Sequence, residues 1–360
     1  DLKHEALLPR WGRRDLLPLW VADMDFETPA FITDAIKARL EHSLFGYTVE
    51  PEDFLPSIMD WVRDHHQWDV KREWIRFIPG IVKGIGMVIN VFTKEDEKVI
   101  IQPPVYHPFR LTPEGNGREV VFNPLKMRED GYYEMDFEQL EKVCDEKCKV
   151  FILCNPHNPG GITWDRETLQ RLADFCYEHH LIVISDEIRA DMAIFGHKHL
   201  PFASVSDKAR EISITFQAPS KTFNIAGIVS SYSIIPNEDI RRKFYGWLSA
   251  NELDEPTIFS PIATIAAFRH GEEYRQQMLA YIEENIRFVE DFCREHIPGI
   301  RPLRPQASFL VWLNCRDLHL NHEQLLDLFI DKAHLALNDG EMFGPGGEGF
   351  MRLNVASPRM

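Results

Sequence analysis

Thr215-Phe216-Gln217-Ala218-Pro219-Ser220-Lys221-Thr222-Phe223-Asn224 is the stretch on which the reading of this chain turns. The run from Ile212 to Phe216 is rich in β-branched residues and reads as a short buried strand, which Pro219 ends. Lys221 is thereby placed in the loop just past a strand's carboxyl end, where open α/β sheets gather their ligands. Among Phe216, Phe223 and Ile225 its side chain would be partly desolvated, which lowers its pKa and frees the amine as a nucleophile. Taken alone, the lysine of a Ser-Lys-Thr loop is more simply a solvated surface residue. The rest of the chain reverses that preference.

A chain of 360 residues has room for about two domains, or a large α/β domain with a smaller partner. With 44% hydrophobic and 27% charged residues it has the composition of an ordinary globular protein. No apolar run approaches the roughly 20 residues that span a bilayer, so no membrane partner is expected. A formal net charge of −16 argues against nucleic acid, whose binding depends on Lys and Arg neutralising phosphates. Cys144, Cys148, Cys154, Cys176, Cys293 and Cys315 are scattered, mostly in apolar segments. They read as free thiols in a reducing, cytoplasmic setting. Neither Cys144-x-x-x-Cys148 nor the pairs His65-His66 and His179-His180, which fall at polar helix ends, has the company a metal site needs. No metal is expected. The first residue is Asp1 and the last, Met360, directly follows a strand-like run, so both ends read as cut from a longer chain.

Along the chain, helical and extended signals alternate. Pro29 opens a helix with Ile32, Ile36 and Leu40 on one face, and a second helix carries Leu55, Ile58, Met59 and Val62. Trp74 to Ile78 is a strand broken by Pro79-Gly80, after which Ile81 begins a helix that runs through Val91. A glycine turn feeding a helix N-terminus favours an anion such as phosphate. The remaining strands are Lys98 to Ile101, Val150 to Cys154 and Leu181 to Ile184, each ending in a polar loop. This alternation predicts a mostly parallel, doubly wound sheet. The periodic run Glu272 to His296 suits a helix connecting two lobes, and the strands Phe309 to Leu313 and Met351 to Val355 predict a smaller α+β domain. The expected division is a large cofactor-binding domain over residues 45–266, with residues 1–44 and 267–360 forming the small domain and the interdomain helix.

Four strand ends thus present Tyr106, Asn158, Asp186 and Lys221 beside the glycine turn. Individually, Asp186 is as well explained as the N-cap of a following turn, Asn158 as a turn residue before Pro159, and Tyr106 as core packing. Together they are the set that pyridoxal 5'-phosphate (PLP) needs. Lys221 would form the Schiff base, and buried Asp186 would keep the pyridine nitrogen protonated. The Asn158 amide would donate to the phenolate oxygen, and Tyr106 would stack on the ring.

The motifs Asn155-Pro-His-Asn158-Pro-Gly-Gly, Ser185-Asp186-Glu187-Ile188 and Ser220-Lys221-Thr222-Phe223-Asn224 resemble those of fold type I PLP enzymes. Their spacings, 28 residues from Asn158 to Asp186 and 35 more to Lys221, also suit that group. Trp20-Val-Ala-Asp-Met-Asp25-Phe and Arg352-Leu-Asn-Val-Ala-Ser-Pro further resemble the cystathionine β-lyase branch (the MalY/PatB type) of the class I/II aminotransferase group. The resemblance implies that Val82 and Lys83 offer backbone amides to the cofactor phosphate. It implies that Arg352, with Ala22, holds the substrate α-carboxylate. Tyr47, in Phe-Gly-Tyr-Thr, would reach the phosphate of a neighbouring subunit, which requires a homodimer with shared active sites. Two positions depart from the aminotransferase pattern. Arg189 stands where a tyrosine is usual, three residues after the aspartate, and Val229 stands where a cation is usual, eight after the lysine. The expected activity is cleavage of L-cystathionine or a related cysteine thioether to a thiol, pyruvate and ammonia. Class I/II transamination of an L-amino acid, or a regulatory binding role on the same fold, are the alternatives.

Overall fold

The computed structural model describes residues 1–359. Its centre is a seven-stranded sheet in the order Ile75–Phe77, Tyr232–Ile234, Ser213–Gln217, Ile182–Asp186, Cys148–Cys154, Lys98–Ile101, Glu119–Phe122. Tyr232–Ile234 runs antiparallel to both its neighbours, and every other pairing in the sheet is parallel. The central strands are near-continuous apolar runs because helices cover both of their faces. Along Cys148–Cys154 the side chains alternate between two cores. Phe151 and Leu153 pack with Leu169, Leu172 and Cys176 of the helix Arg166–Glu178. Val150 and Ile152 pack on the opposite face with Ile85, Val88 and Ile89 of the helix Ile81–Phe92.

A second, antiparallel sheet has the order Arg301–Leu303, Leu310–Asn314, Phe350–Asn354, Asn338–Asp339. The long helix Glu272–His296 lays Met278, Leu279, Ile282 and Ile286 against it, over Phe309, Val311, Leu313 and Met351. No helix among the described residues is long and apolar enough to cross a membrane.

Two local readings of the sequence change. His66 does end its helix, where its charge would meet the dipole, but it is not solvated there. It is buried, with its ring nitrogen 2.8 Å from Asp191 Oδ1, because the helix Phe54–His66 turns its last residue inward onto the central sheet's loops. The strand Tyr232–Ile234 was not evident in the sequence, because serines 230, 231 and 233 hide its apolar alternation.

The extended segment Leu19–Phe26 joins the two sheets. From the central sheet's side, Asn224 donates through Nδ2 to the carbonyls of Met24 (3.0 Å) and Phe26 (2.9 Å), while its Oδ1 accepts from Met24 N–H at 3.0 Å. Asn224 itself has φ of 56°, a left-handed conformation that asparagine tolerates better than most residues. From the other side, Asn354 Nδ2 donates to the carbonyls of Val21 and Asp23, both at 2.7 Å. Replacing Asn224→Ala strands three backbone groups and strains the turn. A loss of about 2–4 kcal/mol in stability by urea unfolding is expected, with faster amide exchange at Met24. A change below about 0.5 kcal/mol would contradict the bridging role.

Candidate active site

The loops that bring the candidate residues together all leave the carboxyl edge of the central sheet. Register aligns Cys154 with Asp186 and Asp186 with Phe216, so three neighbouring strands end level with one another. Asp186 is the last residue of its strand, rather than the first of the following loop. The chain then supplies Asn158 four residues past Cys154, and Lys221 four past Gln217. Together with Ala22, Val82, Lys83, Tyr106, Arg189 and Arg352 they line one cavity of about 560 Å³.

Gly80, with φ of 125°, turns the chain into the helix Ile81–Phe92. Its carbonyl accepts the first helical bond, from Gly84 N–H at 2.8 Å. The amides of Ile81, Val82 and Lys83 precede that bond and open onto the cavity. Lys221 Nζ donates to the Ala22 carbonyl at 2.8 Å and lies 3.3 Å from Asp23 Oδ1. Burial lowers its pKa. Asp23 opposes that shift, and the charges of Arg189 and Arg352 add to it. Asp186 moves the other way. Burial raises its carboxyl to about 6, against one hydrogen bond from Ile188 N–H at 3.1 Å and the positive field of Arg189.

Arg352 donates from Nη1 to Asn158 Oδ1 at 3.1 Å and from Nη2 to the Trp20 carbonyl at 3.0 Å. Burial, and then the charge of Arg189, lower its pKa to about 9. Arg189 is buried too, and its Nε donates to Ser308 Oγ at 3.0 Å. Among the described residues, neither guanidinium has a carboxylate within ion-pair distance. Buried polar atoms without partners mark the same place, namely Asn158 Nδ2, Arg352 Nε and Ser230 Oγ. Unpaired buried cations and donors are costly, and an anionic ligand is what satisfies them. A ligand carrying a phosphate, an oxygen acceptor and a basic ring nitrogen would meet the Val82 and Lys83 amides, Asn158 Nδ2 and Asp186.

Tyr47 does not join this group. It is fully exposed on the irregular stretch 43–50 and lines a different cavity with Glu252, residues 254–258 and Pro261. Val229 adopts a left-handed φ of 58° and presents an apolar side chain to the main cavity, where the sequence pattern asked for a cation. Next to it is Ser230, whose hydroxyl the sequence reading missed along with the strand it precedes. Asp23 was also missed as a partner of Lys221, although the Val-Ala-Asp motif that carries it was in view.

Residues 14–359 match the family model described as aminotransferase class I and II. The chain is 44% identical over 346 residues to cystathionine beta-lyase PatB of Bacillus subtilis (strain 168), covering 96% of this chain and 89% of that protein. Cystalysin from Treponema denticola, whose crystal structure contains pyridoxal 5'-phosphate, aligns with a TM-score of 0.95 at 33% identity, over 99% of this chain and 91% of that one. The PLP-bound C-S lyase from Staphylococcus hominis aligns at 0.90 and 32% identity, over 99% and 91% of the two chains.

Asp186 gives the ligand-free protein a pH signature. Because its folded pKa is raised, the folded state holds a proton between pH 3.8 and about 6 that the unfolded chain has released. Stability therefore falls as pH rises through that window, by an amount on the order of 3 kcal/mol once the group is fully ionised. Asp186→Asn should make the ligand-stripped protein more stable than the parent at pH 7.5 and equal to it below pH 4, as measured by denaturant unfolding. Parallel curves at both pH values would show that Asp186 is not held in a desolvating site.

Proposed function

The chain belongs to the aminotransferase class I and II family, and from that premise we propose that it is a PLP-dependent carbon–sulfur β-lyase acting on L-cystathionine or a related cysteine thioether. The fold is the type I arrangement of PLP enzymes, and the reading assigns residues 45–266 to the large domain, with 1–44 and 267–360 as the small one. The observation that carries the choice of lyase over transaminase is the end-to-end similarity to a cystathionine beta-lyase, while the cavity's unpaired donors match the cofactor that either reaction needs.

PLP, when bound, supplies an electron sink for the carbanion formed at substrate Cα, which in a cysteine thioether drives loss of the Cβ sulfur. The chain's residues do the rest. The Val82 and Lys83 amides, with the Ser230 hydroxyl, hold the phosphate at the helix N-terminus. Asp186 keeps a proton on the ring nitrogen, and its raised proton affinity is lowered again by the positive charge it then faces. Asn158 donates through its free Nδ2, while its Oδ1 steers Arg352. Tyr106, which lines the cavity, would stack on the ring. Each terminal nitrogen of Arg352 gives one proton to the protein and keeps another, and Nε gives none, so the guanidinium can fork onto the substrate α-carboxylate. Ala22 sits beside that carboxylate, and its carbonyl aims the Lys221 amine. Lys221 would hold the cofactor, and its amine is the group placed to take the Cα proton. Its lowered pKa favours the neutral amine that this step needs.

The free thiols fit a cytoplasmic setting, and the substrate is a small amino acid. Tyr47, displaced from its own chain's cavity, supports a homodimer in which it reaches the partner's phosphate. With L-cystathionine alone, sustained release of pyruvate and ammonia is expected. Turnover that stalls after one cofactor equivalent and resumes on adding a 2-oxo acid would identify a transaminase instead. For the shared site, Tyr47→Ala and Lys221→Ala proteins should each be at least about 100-fold impaired. Exchanging their subunits should restore about a quarter of the parent activity, since half of the dimers then hold one intact site. No recovery in a confirmed heterodimer would refute the sharing.

A further inference from the structure

Arg10 lies at the mouth of the cavity, on the short helix Leu7–Trp11, and the chemistry described so far does not use it. Its guanidinium stands over the rings of Trp20 (4.5 Å) and Trp11 (4.8 Å). Its Nη2 donates to Asn338 Oδ1 at 2.8 Å. Asn338 Nδ2 in turn donates to the Trp20 carbonyl at 3.1 Å, the same oxygen that accepts from Arg352 Nη2. The two guanidiniums are therefore held one tryptophan apart, with Leu2, Trp20 and Met342 forming an apolar wall around them.

Nothing acidic neutralises Arg10. No carboxylate among the described residues comes within 4 Å of its guanidinium, and Asp339 acts on it only from farther away. Partial burial lowers its pKa, and its field in turn disfavours the charged forms of Arg352 and His107. A guanidinium has five N–H donors, and the protein uses one of these on oxygen. Setting a second unpaired cation so near the first is unfavourable in the empty cavity and becomes favourable when each holds a carboxylate.

We infer that Arg10 reads a second, distal carboxylate on the substrate, so that the preferred substrates are L-cysteine thioethers whose sulfur substituent ends in a carboxylate. This deepens the lyase reading and rests on it. Arg352 takes the α-carboxylate, the apolar wall takes the thioether chain, and Arg10 takes the far end. Arg10 is a specificity residue that stands clear of the bond being broken.

The test compares S-(2-carboxyethyl)-L-cysteine with S-propyl-L-cysteine, two thioethers of similar size that differ in the terminal carboxylate. Each is followed by pyruvate release and by the absorbance change of the bound cofactor on titration. In the parent holoenzyme kcat/KM should favour the carboxylate by about 10- to 100-fold, carried mostly in KM, and the preference should shrink as salt is added. Arg10→Gln should bring the ratio to within about threefold of unity, and Arg10→Lys should keep part of it. Both substrates are measured on the same preparation, so a partly misfolded variant does not alter the ratio. A parent ratio near one, or a ratio that survives in Arg10→Gln, overturns the role of Arg10 while leaving the lyase reading intact. If neither thioether yields pyruvate, the lyase reading falls if L-cystathionine yields none either, and the absorbance titration decides on Arg10. A carboxylate preference in binding that is lost in Arg10→Gln supports it, and equal binding of the two thioethers overturns it. Absence of any absorbance response to either thioether overturns the role of Arg10.

Discussion

The extended segment Leu19–Phe26 is the constraint on which the rest depends. Asn224, three residues past Lys221, grips it from the central sheet, and Asn354, two residues past Arg352, grips it from the small sheet. The two side chains assigned to cofactor and substrate are thus each adjacent to the clamp that fixes the segment. The segment repays this with its carbonyls, Ala22 orienting Lys221 and Trp20 orienting Arg352. Backbone carbonyls held at both ends define side-chain positions more tightly than a flexible side-chain pair would, because fewer rotatable bonds must be frozen. The site is consequently built where the two sheets meet, and neither sheet carries it alone.

Electrostatics inside this junction run against the chain as a whole. The net charge is −16, yet the cavity gathers Arg10, Lys83, Arg189, Lys221 and Arg352 against Asp23 and Asp186. The acidic exterior preserves this contrast, since most surface cations are already paired with neighbouring carboxylates. Inside, burial pushes the lysine and arginine pKa values down and that of Asp186 up. Each shift favours the neutral form, so the ligand-free pocket is poised to take up anions and a ring-nitrogen proton together. Arg189 adds to this field at the position where the family pattern has a neutral phenol. It is a buried cation whose side chain, among the described residues, hydrogen-bonds to Ser308, and it lowers the proton affinity of Lys221.

Much of this was legible in the sequence, for a physical reason. The central strands are buried on both faces and end in proline- and glycine-marked loops, so their carboxyl ends could be located and Tyr106, Asn158, Asp186 and Lys221 placed at one edge. The helix Glu272–His296 kept its apolar period throughout and was read to its last residue. What escaped was held by contacts distant in sequence. Asp23 meets Lys221 across 198 residues, and Arg10 meets Asn338 across 328. His66 meets Asp191 only because a helix end turns inward. The strand at Tyr232 is only three residues long and follows two serines, too short a run to show its alternation, and with it went Ser230. Tyr47 is a separate case, because its proposed partner belongs to another copy of the chain.

The central claim is that Lys221 carries the cofactor within this cavity. Borohydride reduction of the purified holoprotein, followed by proteolysis and mass mapping, tests it most directly. The account predicts the reduced pyridoxyl phosphate mass on the peptide containing Lys221 and on no other. The same mass on the Lys83 peptide, or its absence from every lysine, would contradict it.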